Sequence, residues 1–145
     1  MRQKKRIFFQ KKKNNFASFF DEMSAACEGL VYVSETDAPV KTLSAEADVG
    51  SAVDLLRQIA GADCTTQIES IEARQFFARL TAIKDWFGPA ELERAKKFLD
   101  LQRLLEENLT GLAVYRVGEI RVRYYAIGRS FDGRIAGIET EAVET

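Results

Sequence analysis

Hydrophobic residues recur at three- and four-residue spacing in four stretches of this chain and alternate with polar ones in several others. Phe16, Phe19, Phe20, Met23 and Cys27 form an apolar stripe that predicts a helix from Phe16 to Glu28, with Asn14 or Asn15 to cap it and Gly29 to end it. Leu30-Val31-Tyr32-Val33 reads as a short buried strand, followed by a polar loop, Ser34 to Pro39. Proline lacks a backbone donor and disfavours the helical region for its predecessor, so the strand is expected to stop there. Residues 40–46 suit a further strand. Val53, Leu55, Leu56 and Ile59 line one side of a helix from Ser51 to about Ala60, closed by Gly61. Thr65 to Ile68 suits another short strand, and Ser70 is placed to cap a helix running through Phe76, Phe77 and Leu80.

A loop from Thr81 to Phe87 precedes the clearest helix. Gly88-Pro89 opens it, Glu91 and Glu93 favour its positive end, and Leu92, Ala95, Leu99 and Leu105 make its inner stripe, with Gly111 expected as its terminator. The remainder reads as β: Val114 to Val117, Ile120 to Ile127 and Ile135 to Val143, joined by Gly118-Glu119 and by Gly128 to Gly133. Connections this short make the pairings antiparallel. Four helices with strands grouped at the end predict an α+β fold. Two helical groups need a sheet with both faces covered, so the expected architecture is a three-layer α/β/α sandwich with a mostly antiparallel central sheet. A length of 145 residues suits one domain. The expected division is a basic, disordered arm over residues 1–15 and a single folded domain over 16–145.

Composition narrows the function by exclusion. The chain has no histidine, which removes Ser-His-Asp, Cys-His and His-metal sites, and it has no Walker A, GxGxxG or GxSxG motif. No CxxC pairs the two cysteines, Cys27 and Cys64, and both are expected to be reduced and buried. The basic start, Met1 to Arg6, precedes only Ile7-Phe8-Phe9 before Lys11-Lys12-Lys13, too short for a signal peptide, so a cytoplasmic protein is expected. The net charge of −1 hides a split: residues 1–13 carry seven bases and no acid, leaving 14 bases against 22 acids in residues 14–145, a net of −8. An acidic body points to protein partners and away from nucleic acid.

Alternation continues from Gly133 almost to Thr145, so a paired final strand is expected to hold the Thr145 carboxylate at a fixed place. Glu139, Glu141 and Glu144 lie close in sequence, with no base after Arg134. Such a cluster suits a partner's cationic pocket or bound metal better than general acid/base work.

Four pieces taken together resemble a known family: Gly29 to Glu35 with Pro39; Phe76-Phe77-Ala78-Arg79 followed by Asp85-Trp86; Val114 to Glu119 leading to Tyr125-Ala126-Ile127-Gly128; and Gly133 to Thr145, ending Val143-Glu144-Thr145. The chain resembles the nuclease A inhibitor family over roughly residues 16–145. These small proteins block a sugar-non-specific, magnesium-dependent endonuclease of the ββα-metal class. The resemblance implies an α/β/α sandwich and a set of partner-binding residues: Glu35 after the first strand, Asp85 and Trp86 in the mid-chain loop, and Thr145, whose carboxylate reaches toward the nuclease's metal. The basic arm, the segment 40–68 and Phe87-Gly88-Pro89 depart from the family's pattern.

Each site has a bland reading beside the sharp one. Glu35 is a solvated loop acid if it is not a ligand, Trp86 a core residue if it is not an interface anchor, and Thr145 a frayed end if its strand is not paired. Arg121 and Arg123 read as the polar face of a strand. The function expected is one-to-one inhibition of a non-specific Mg-dependent endonuclease, with no catalysis, no cofactor and no metal of the inhibitor's own. Two other readings remain: a binding module of this fold with a different protein partner, and a nucleic-acid binder using the basic arm.

Overall fold

The computed structural model describes residues 16–45, 51–59 and 66–144. Helices α1 (Phe16–Cys27), α2 (Ala52–Ile59), α3 (Ala73–Thr81) and α4 (Pro89–Asn108) accompany strands β1 (Val31–Val33), β2 (Asp37–Pro39), β3 (Lys41–Ala45), β4 (Ile68–Ile71), β5 (Thr110–Val117), β6 (Arg121–Arg129) and β7 (Ile135–Val143). Strands β3 to β7 form one sheet in the order β3-β7-β6-β5-β4, and every pairing is antiparallel. β1 and β2 form a separate antiparallel ribbon. The α+β class therefore stands. The basic arm, Asn14, Asn15, Gly61, Cys64, Thr65 and Thr145 lie outside the described residues.

Alternation along β6 sorts side chains into two apolar clusters. Val122, Tyr124 and Ala126 join Ala136 and Ile138 of β7 under α1, α3 and α4, where Phe19, Met23, Phe77, Phe98, Leu101 and Leu105 are buried. Tyr125 and Ile127 join Ile135 and the α2 residues Leu55 and Leu56. Successive strand residues point to opposite faces, so these clusters lie on opposite sides of the sheet. From Tyr124 to Gly128, β6 is buried without a break, because both its faces are covered there. At its start the pattern reverts to alternation: Arg121 and Arg123 are exposed and Val122 is buried, as the polar-face reading of the two arginines requires.

Several local expectations shift for tertiary reasons. Asp37–Pro39 is a strand, not a loop. Pro39 stands opposite Val31 while the next residue, Val40, donates its N–H to the Leu30 carbonyl at 3.0 Å, so by the antiparallel alternation the donor that Pro39 lacks would face away from β1; its carbonyl accepts a hydrogen bond from Thr140 Oγ1 at 3.0 Å. Ser70 does not cap a helix. It pairs with Tyr115 inside β4, and Glu72 takes the cap position of α3; sheet pairing outweighs the capping preference of a single serine. Helix α4 ends at Asn108 with Leu109 as its cap, while Gly111, at φ +65°, occupies the register shift in β5 between Thr110 and Ala113. The buried stripe of α4 is Ala95, Phe98, Leu101 and Leu105, and Leu92 is exposed, because the first turn of α4 projects past the core. Cys27 is a free, buried thiol, and burial pushes it up to about 11, which keeps it protonated at neutral pH.

Gly137 marks the tightest approach in the sheet. It pairs with Ile127, and a Cβ placed there would meet the Ala126 carbonyl oxygen at 1.9 Å. Gly137→Ala is expected to destabilise the fold by about 2–3 kcal/mol or more, read as a lower urea midpoint, whereas Gly111→Ala, with open space around it, is expected to lose about 1 kcal/mol through its positive φ alone.

Candidate functional site

Three of the expected partner-binding residues sit on turns, where backbone geometry rather than packing presents the side chain. Glu35 is exposed at the tip of the β1–β2 ribbon. The Ser34 hydroxyl organises this tip: Oγ donates to the Thr36 carbonyl at 2.8 Å and accepts from the Thr36 N–H at 3.3 Å. The same oxygen accepts the Val143 N–H at 3.2 Å, 109 positions along the chain. The Glu35 turn and the end of β7 are thereby joined.

Asp85 and Trp86 occupy the two central positions of a turn closed by the Phe87 N–H donating to the Lys84 carbonyl at 3.1 Å. Both are exposed. Trp86 is 73% accessible, its ring resting edge-on against Phe87 at 4.8 Å. A tryptophan held this far out of the core serves no packing purpose, and the core-residue reading fails. Behind the turn, the Gly88 N–H donates to Glu91 Oε1 at 2.9 Å, so the first turn of α4 anchors the loop. Phe87 lines a shallow hollow shared with Val33, Arg79 and Leu80. Val33 immediately precedes the Glu35 turn, which sets the Asp85-Trp86 turn beside the ribbon.

Glu139, Glu141 and Glu144 do not form one cluster. Glu139 pairs across the sheet with Lys41 and Tyr125, and Glu141 lies 3.8 Å from Arg123; both point to the face that α2 covers. Glu144 turns to the opposite side. Its Oε1 accepts from Arg116 Nη2 at 2.9 Å and from Nε at 3.3 Å, and its Oε2 accepts the Tyr124 hydroxyl at 2.5 Å. Its own N–H donates to the Ile120 carbonyl at 2.9 Å, continuing the β6–β7 ladder past Val143. Arg116 also donates to the Gly118 and Glu119 carbonyls. Reading residues in order could not show this, because Arg116 precedes Glu144 by 28 positions. Arg116, Tyr124 and Ser34 are the residues that the linear pattern missed; only strand register brings them to the end of β7.

Burial is the largest single influence on Glu144 and opposes its ionisation. The hydrogen bonds from Tyr124 and Arg116, with the charges of Arg116 and Arg79, outweigh it and hold the carboxyl below its ordinary 4.5. Burial, helped by the Glu144 contact, pushes Tyr124 up to about 12, so its hydroxyl stays a donor. Among the described residues no group of three or more acidic, cysteine or histidine side chains could hold a metal ion. Exposed carboxylates and an indole thus stand on turns, and the ion-paired Glu144 secures the end of β7.

The sequence matches the nuclease A inhibitor-like proteins over residues 17–145. The chain belongs to that family. Membership points to nuclease inhibition and to a nuclease as the protein partner. A comparison with curated proteins finds no match. No helix among the described residues is long and apolar enough to cross a membrane.

A folded-state value below the unfolded one means that the Glu144 contacts stabilise the fold fully above pH 4.5 and lose that effect as pH falls through the lower folded value. Glu144→Gln is expected to be less stable than the parent by about 1 kcal/mol at pH 7. The difference is expected to stay level down to about pH 5 and shrink below it, measured by urea denaturation across pH.

Proposed function

We propose that this protein inhibits a sugar-non-specific, Mg-dependent endonuclease by filling its active site with Glu35, Asp85, Trp86 and the Thr145 carboxylate. Support comes chiefly from one observation: the Glu35 turn is tied to the end of β7 through Ser34, and the Asp85-Trp86 turn stands beside the same ribbon. A non-specific nuclease binds phosphates through cationic side chains and a divalent ion. Carboxylates on fixed turns match that field and carry no scissile bond. Glu35 and Thr145 stand in for phosphate oxygens, Asp85 pairs with a nuclease base, and Trp86 packs as the apolar anchor. The magnesium belongs to the nuclease, and the inhibitor performs no chemistry. The acidic balance of residues 14–145 favours encounter with a cationic cleft.

This reading takes residues 16–145 as the inhibitory domain, residues 1–15 as an appended arm, and the complex as one-to-one in the cytoplasm. It also takes the fold as a three-layer α/β/α sandwich, supported by the apolar clusters on opposite faces of the sheet.

The test is magnesium-dependent plasmid cleavage by a ββα-metal nuclease, titrated with this protein. Inhibition near equivalence is expected. Glu35→Ala together with Trp86→Ala is expected to weaken it by at least ~30-fold, as removal of one desolvated charged partner removes roughly 2–5 kcal/mol. An intact nuclease at large excess of the parent protein would point to another protein partner. Amidation or extension at Thr145 is expected to weaken inhibition; full potency of the amidated protein would exclude the terminal carboxylate from the contact.

A further inference from the structure

We propose that Ser34 is a positioning residue for inhibition: its hydroxyl locks the Glu35 turn to the end of β7, so that the two segments meet the nuclease as one rigid unit. The proposal rests on the inhibition reading for its purpose, and on geometry for its mechanism.

The geometry is specific. A two-stranded ribbon of three residues a side is marginal in isolation, and β1 and β2 are that short. Beside the backbone bond from the Ser34 N–H to the Thr36 carbonyl, one side-chain oxygen steadies the tip with three hydrogen bonds, two within the turn and one to β7. The β7 end is itself immobilised beyond that point, by the Glu144 N–H on the Ile120 carbonyl and by the Glu144 carboxylate on Arg116 and Tyr124. Ser34 therefore couples the tip of a short ribbon to a fixed strand end. Removing the hydroxyl leaves the Val143 N–H without this acceptor and the Glu35 turn with only its backbone bond, the Ser34 N–H on the Thr36 carbonyl at 3.1 Å. The core is untouched, because Ser34 belongs to neither apolar cluster. A turn that must be ordered on binding loses affinity relative to one already ordered.

The experiment pairs two readouts on Ser34→Ala and Ser34→Thr, the second of which keeps a hydroxyl. Amide hydrogen exchange of the free protein is measured first. Exchange at Val143 is expected to accelerate at least tenfold in Ser34→Ala and to stay within a few-fold of the parent in Ser34→Thr, with the amides of α4 and central β6 unchanged. Inhibition of plasmid cleavage by a ββα-metal nuclease is measured second. Ser34→Ala is expected to weaken inhibition about tenfold, Ser34→Thr to restore it, and Ser34→Ala on a Glu35→Ala background to add little, because the serine acts through that glutamate. Unchanged Val143 exchange in Ser34→Ala overturns the lock. Accelerated exchange with undiminished inhibition, or full additivity with Glu35→Ala, overturns the positioning role. A parent protein that leaves the nuclease active overturns the inhibition reading instead, while the exchange result still decides whether the lock exists.

Discussion

The pairing of β6 with β7 is the interaction on which the rest depends. It runs in one unbroken register from Arg121↔Val143 to Arg129↔Ile135. Because side chains alternate, that register decides which residues of each strand enter which apolar cluster, and a slip of one position would exchange the two faces entirely. Gly137 permits the close approach, the Ala126 carbonyl lying where any larger residue would place its Cβ. The ladder then continues to the Glu144 N–H on the Ile120 carbonyl, carrying order to the last described residue.

Glu35, Asp85 and Trp86 are exposed on turns, outside the core, where substitution would disturb the fold little. The elements behind those turns are firmly held: the ribbon by Thr140 on the Pro39 carbonyl, the loop before α4 by Glu91 on the Gly88 N–H. Arg116 and Tyr124 neutralise and orient Glu144, so a half-buried carboxylate stands there without an unpaired charge. The exposed turn residues and the residues that brace the end of β7 are thus different ones.

The helices and the three long strands were legible because their signals are local. Phe19, Met23 and Cys27 mark the buried side of α1 by spacing alone, and Pro89 with Glu91 marks the start of α4. Errors fell where a distant partner decides the outcome. Ser70 has the composition of a cap but pairs with Tyr115, and Pro39 has the character of a strand breaker but closes a ribbon. Glu35, Asp85 and Trp86 came forward as candidates through family resemblance, and Trp86 is exposed as an anchor would need to be; the bracing contacts of Ser34, Arg116 and Tyr124 left no mark in the sequence. A serine in a polar loop, an arginine in a strand and a tyrosine beside another tyrosine carry no local mark of their roles.

By itself the sequence determined the helices and the last two long strands, that the β-rich end pairs antiparallel, and that histidine-based chemistry is impossible, since spacing, turn length and composition are properties of neighbouring residues. Tertiary structure decided which carboxylates stand together. Glu139 and Glu141 went to one face and Glu144 to the other, where Arg116 reaches it, because register, not sequence distance, chooses the neighbours of a strand residue. The junction of the Glu35 turn with the end of β7 has the same origin: two short segments 109 positions apart meet only when the sheet has formed around them.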